Sequence, residues 1–169
     1  MSVMKTVTGD LVELAARGEF NVIVHGCNCF NSMGAGIAKQ IAERFPEAEI
    51  ADGDTLPGLE SKLGSASIAV VRGDYGDSII VVNAYTQLGT DMKRRTLNVS
   101  MAAIYRVFAT TVYNLACLAP GMRIGIPRIG AGLGGGDWDT IKTVITKAMD
   151  LDGFDDPNLL TLVEYDGLK

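Results

Sequence analysis

The sequence predicts an α/β protein, a three-layer α/β/α sandwich around a central mixed sheet. Three observations point to it. Short, nearly continuous apolar runs alternate with longer segments whose apolar residues recur at helical spacing, the pattern of buried strands and the helices that cover them. One strand pair is joined by a tight turn, which inserts a hairpin into an otherwise alternating order. Two glycine-rich stretches each follow an apolar run and precede a helix, where open α/β sheets bind ligands.

The elements follow in order along the 169 residues. Residues 4–8 read as a short strand closed by Gly9-Asp10, and 11–17 as a helical turn ending at Gly18. Residues 21–27 form a nearly unbroken apolar strand. In 35–45, Ile37, Ala38, Ile41, Ala42 and Phe45 fall on one helical face, and Pro46 is expected to stop the helix. Residues 51–64 hold Gly, Pro and Asp and read as irregular. Strands are expected at 67–72 and 78–85 around the turn Gly73-Asp74-Tyr75-Gly76-Asp77, with a loop at 86–91. Leu97, Met101, Ile104, Phe108, Val112 and Leu115 keep helical spacing over 97–115. A strand at 123–127 ends on Pro127. Asp137 is placed to cap a helix that buries Trp138, Ile141, Ile145 and Ala148, and 159–165 is a final strand.

The length suits one domain with a full core. Hydrophobic residues make up 47% of the chain, so it is globular. The net charge of −5 disfavours nucleic acid as a partner, and Lys93-Arg94-Arg95 reads as a solvated helix start. Three cysteines make no disulfide framework and point to a reducing compartment. With no signal-peptide pattern and no bilayer-length apolar run, the chain reads as soluble and cytoplasmic, without a membrane partner; a monomer is expected.

The chemistry lies in the two glycine stretches. The first runs through Asn28, Asn31, Ser32, Met33, Gly34, Ala35 and Gly36. The second comprises Ile129, Gly130, Ala131, Gly132, Leu133 and Gly134. Glycine lets backbone N–H groups approach phosphate oxygens, and a helix start adds partial positive charge. Neither stretch is a Walker A loop or a complete Gly-x-Gly-x-x-Gly fingerprint. The alternative is that both are only tight turns. Asp10 reads either as a helix cap or as an acceptor for an exocyclic amine such as that of adenine. His25 reads either as a hydrogen-bonded core residue or as an imidazole working beside a phosphate. His25, Cys27 and Cys29 share alternate strand positions, but zinc asks for a fourth ligand and a different spacing, so no metal and no cofactor are expected. Asn28 and Asn31 suit ribose hydroxyls or a turn, and Tyr165 suits stacking on a base or packing.

Three motifs together resemble the macrodomain, the ADP-ribose-binding α/β/α module. They are Gly9-Asp10-Leu11, the run from His25 to Asn28 and Cys29 with Met33-Gly34-Ala35-Gly36-Ile37-Ala38, and Pro127-Arg128-Ile129-Gly130-Ala131-Gly132-Leu133. The resemblance covers 1–169 as a single domain. It is most similar to the branch holding the fungal ADP-ribose-1''-phosphate phosphatase and the terminal ADP-ribose glycohydrolases. It implies that Asp10 meets the adenine amine, Leu11 the ring edge and Tyr165 the adenine. Ser32 to Gly36 and Gly130 to Gly134 would enclose the diphosphate, and Asn28 would lie near the distal ribose. His25 matches a histidine of the phosphatase branch. Expected catalytic residues are His25, Asn28 and Asp137. The expected activity is hydrolysis of ADP-ribose-1''-phosphate to ADP-ribose and phosphate. A non-catalytic ADP-ribose reader, or a hydrolase acting on ADP-ribosylated macromolecules, is the alternative. The sequence departs from the glycohydrolase branch in two places. Tyr85-Thr86-Gln87 holds no lysine, and Gly134 stands where that branch has an aspartate.

Overall fold

Five of the six strands run parallel and bring their carboxyl ends to one edge of the sheet. In the computed structural model, which describes residues 4–89, 99–132, 134–149, 154 and 156–167, these strands are β1 (Met4–Gly9), β2 (Val22–Asn28), β4 (Ser78–Gln87), β5 (Ile124–Ile126) and β6 (Leu160–Tyr165). The strand order is β1-β6-β5-β2-β4-β3, and β3 (Ala66–Arg72) lies antiparallel on β4 as the hairpin partner.

Alternation along β2 shows how the layers divide. Val22 and Val24 join one apolar core with Ile104, Phe108, Ile141 and Ile145. Ile23 joins the other with Leu11, Ile41, Phe45 and Ala48. Successive strand residues face opposite sides, so both faces of the sheet are buried. The first core is covered by α4 (Met101–Val107), α5 (Tyr113–Ala116) and α6 (Trp138–Met149). The second is covered by α1 (Leu11–Ala16), α2 (Gly36–Arg44) and α3 (Pro46–Gly53). The three-layer sandwich expected from the sequence is the observed one.

Three local expectations are corrected. Pro46 does not merely end α2; it opens α3 at the first helical position, where its missing N–H costs nothing. Thr86 and Gln87 continue β4 rather than starting a loop, and a register shift between Cys27 and Asn28 accommodates them. The long helical segment is interrupted by a π turn, Phe108–Val112, between α4 and α5. Leu97 and Lys93-Arg94-Arg95 lie outside the described residues. Among the described residues no helix is long and apolar enough to cross a membrane. None of them form a group of three or more His, Cys, Asp or Glu able to hold a metal.

Candidate functional site

The edge where the parallel strands end carries a cleft of about 540 Å³, lined by both glycine stretches. Ser32, Gly34, Ala35, Gly36, Ile37 and Ala38 form one wall. Pro127, Arg128, Ile129, Gly130, Gly132 and Gly134 form the other, with Gly26, Cys27, Asn28 and Gln87 beside them. Gly36, Ile37 and Pro127 also border an adjoining recess of about 340 Å³, completed by Gly9, Asp10, Leu11, Gln40, Val163 and Tyr165. The two spaces share a wall and read as one elongated site of the size that small ligands occupy. A charged groove between α1 and α2 touches the recess at Asp10 and Gln40. Its arginines are already paired, Arg17 with Glu13 and Arg44 with Asp74, and it contains no glycine stretch.

The first wall ends at an open helix start. Ala35 occupies the N-cap of α2 and supplies no capping side chain. The first-turn N–H groups of a helix have no partner within it, and their dipoles favour an anion. Gly36 has φ +57°, a backbone state that glycine takes without strain. Side chains hold the turn that leads there. The Asn28 amide donates to the Ser32 carbonyl at 2.9 Å, and its oxygen accepts from the Phe30 N–H at 2.9 Å. Asn31, at φ +57° the one left-handed residue besides glycine among those described, donates to the Thr55 carbonyl at 2.6 Å.

The second wall is held by its own backbone. The Gly136 N–H donates to the Gly130 carbonyl at 2.8 Å, Gly135 to Gly132 at 3.1 Å, and Val99 to Gly134 at 3.2 Å. Close packing leaves no room for side chains. A Cβ on Gly134 would stand 2.7 Å from the Gly130 carbonyl oxygen and 3.0 Å from Oε1 of Gln87. The missing aspartate is thus a position that admits no side chain without moving backbone.

At the recess, Asp10 caps α1 by accepting from the Glu13 N–H at 3.1 Å, and it also lines the recess. Asp10 is thus both a helix cap and part of the recess lining. Tyr165, 55% exposed at the end of β6, and the buried Leu11 both line the recess.

Several expected residues are not in the cleft. His25 is wholly buried and lines no part of it. Its Nε2 lies 2.7 Å from Oδ1 of Asn83, its partner in strand register. Asn83 donates through Nδ2 to Ala48 and Ser67, which turns Oδ1 toward the imidazole and makes Nε2 the donor. The Cys27 thiol lies 3.7 Å from Nδ1 and 3.6 Å from Nε2. Burial lowers the His25 pKa to about 4, against the raising effect of the Asn83 hydrogen bond. The imidazole expected beside a phosphate therefore lies in the interior, three residues short of the strand end and outside the cleft lining. Asp137 also lies outside that lining. It caps α6, accepting from the N–H and hydroxyl of Thr140 at 2.9 and 2.7 Å, and these bonds hold its carboxyl below the usual range. Met33 is buried in the core and Ala131 packs against the other core, so neither side chain serves the cleft. Asn31 braces the turn from behind. Leu133 lies outside the described residues.

The sequence reading missed Gln87, Arg128 and the buried Lys62. Gln87 enters because β4 runs further than expected; its amide donates to the Gly89 carbonyl at 2.9 Å. Arg128 forms a two-pronged pair with Glu164, at 2.9 and 2.7 Å, on the cleft rim. Burial pushes the Cys27 thiol up, and Cys29 as well, so neither is an activated nucleophile.

The Macro domain family model matches residues 24–145, which span both glycine stretches. The chain is a macrodomain. A bacteriophage T4 protein, described as an uncharacterized 17.5 kDa protein in the tk-vs intergenic region, is 33% identical over 85% of this macrodomain and 88% of its own length. The ADP-ribose 1''-phosphate phosphatase of Saccharomyces cerevisiae is 41% identical over 49 residues, 29% of this chain and 27% of that protein. Among solved structures, Thermosipho africanus DarTG in complex with ADP-ribose superposes with a TM-score of 0.67 at 15% identity, over 98% of this macrodomain and 42% of that chain. At that identity the likeness concerns the fold.

Proposed function

We propose that this macrodomain binds ADP-ribose, with its nucleoside end in the recess at Asp10, Leu11 and Tyr165 and its diphosphate between the two walls. The observation that carries the reading is the meeting of an uncapped helix start and a glycine-held backbone loop across one cleft. Neutral amide donors suit a diphosphate because they stabilise charge without a cation. The distal ribose then lies toward Asn28 and Gln87. The solved ADP-ribose complex of the Thermosipho protein, which shares the fold, supports the choice of ligand. Calorimetry and thermal shift with ADP-ribose and AMP test it. A ligand that binds only the folded state at 100 times its Kd adds about 2.7 kcal/mol of stability. No heat and no shift at millimolar ADP-ribose would overturn the reading.

A second reading, favoured by the local match to the yeast phosphatase, is hydrolysis of ADP-ribose-1''-phosphate. Water attacks phosphorus, the bond to the ribose 1''-oxygen breaks, and that oxygen takes a proton from solvent. The loop N–H groups stabilise the phosphoryl oxygens, and Asn28 with Gln87 orients the water. His25 and Asp137 take no part, because neither reaches the cleft. Among the described residues, the cleft lining holds no lysine and no carboxylate. Phosphate release, abolished by Asn28→Ala while ADP-ribose still binds, supports the hydrolase. Binding without release by the native chain leaves a reader.

A further inference from the structure

We propose that Lys62 is a positioning residue that shapes the first wall of the cleft and so sets affinity for the diphosphate and distal part of the ligand. The inference rests on the ADP-ribose reading above and assigns the residue that makes one half of that site.

Lys62 ends a single 3₁₀ turn, Glu60–Lys62, and is only 8% exposed. Burying a lysine is costly unless its donors are satisfied. Here Nζ donates to Oδ1 of Asn31 at 2.7 Å, to Oγ1 of Thr55 at 2.8 Å and to the Cys29 carbonyl at 3.1 Å. It also sits 4.4 Å from the centre of the Tyr85 ring, within cation–π range. All three ammonium N–H groups are therefore used, and two of them go to the turn between β2 and the cleft wall.

The rest of the cluster supports the same turn. The Cys29 carbonyl accepts a second bond, from the Gly58 N–H at 2.7 Å. Asn31 is clamped from both ends of its amide, by Lys62 on the oxygen and by the Thr55 carbonyl on the nitrogen. This fixes Asn31 in the left-handed conformation that asparagine tolerates better than other side chains. Below, Tyr85 donates to Oδ1 of buried Asp52 at 2.8 Å and stands 3.3 Å from the Thr55 hydroxyl. The carboxylate thus meets the lysine through hydroxyl groups rather than by direct contact. Nothing in this cluster lines the cleft; its output is the path taken by residues 29–32 toward the open start of α2.

Apart from Gly36, Ile37 and Pro127, which it shares with the cleft, the nucleoside recess is lined from β1, α1, α2 and β6, and Lys62 bonds directly to none of these residues. The discriminating quantity is therefore the ratio of Kd values for AMP and ADP-ribose. The native protein is measured first; if it binds neither ligand, the underlying reading fails and Lys62 is not in question. With binding established, Lys62→Met is expected to weaken ADP-ribose tenfold or more and leave AMP within twofold. Asn31→Gly, which keeps the φ +57° backbone but removes the acceptor, is expected to shift the ratio the same way by about fivefold. It decides the matter if Lys62→Met does not fold. A general loss of stability would move both ligands together. Folded variants whose AMP to ADP-ribose ratio stays within twofold of the native value would overturn the proposal.

Discussion

The two walls of the cleft do the same job by opposite means. The first is shaped by side-chain hydrogen bonds, from Asn28 and Asn31 within its own turn and from Lys62 in a distant part of the chain, each holding a backbone carbonyl in place. The second is shaped by the exclusion of side chains, with carbonyls and N–H groups bonding across a loop into which no Cβ fits at Gly134. A wall built from side-chain bonds is lost in steps of about 1–2 kcal/mol each. A wall built from absent side chains fails all at once.

The largest effect is therefore expected at Gly134. Gly134→Asp drives a Cβ to within 2.7 Å of the Gly130 carbonyl, so the loop has to move. Affinity for ADP-ribose should fall by at least 100-fold, measured by calorimetry, with a drop in melting temperature. Retained affinity would show that the second wall is as yielding as the first. The next effect belongs to the first wall. Asn28→Ala removes two hydrogen bonds from the turn and should cost about 1–2 kcal/mol, a roughly tenfold weaker complex.

The smallest effect tests whether His25 belongs to the interior rather than to either wall. An unfolded imidazole titrates near 6.5, whereas His25 in the fold waits until about 4. Between those values the unfolded chain binds a proton that the folded chain does not, so stability falls as the pH is lowered. From pH 7 to pH 5 the loss should be about 2 kcal/mol by urea denaturation. His25→Gln should remove that part of the pH dependence while leaving ADP-ribose affinity at neutral pH within about threefold. A large affinity loss with unchanged pH dependence would return the imidazole to the site.

The sequence carried the sandwich and both glycine stretches because strand and helix periods, turn residues and caps are local signals. Asp137 as a helix cap was legible for that reason. The opening of α3 is legible too: Pro46 at the first position, with Glu47 and Glu49 in the first turn, marks a helix start as well as the end of α2. His25 was ambiguous because alternation says which face a residue takes, not how far it lies from the strand end. Lys62 was beyond reach, since its partners Cys29 and Asn31 are more than thirty positions away in the chain and no periodicity links them. Gln87 depended on the length of β4, and element ends are the least determined part of any pattern reading.

The crowding at Gly134 also bears on how such a protein changes over generations. Placing a carboxylate at that point demands that the opposing carbonyl give way first, so the intermediate form would sacrifice its grip before gaining any new chemistry. Descent along that route has to shift the Gly130 backbone and the Gln87 amide together, because both crowd the place where the first side-chain carbon would go.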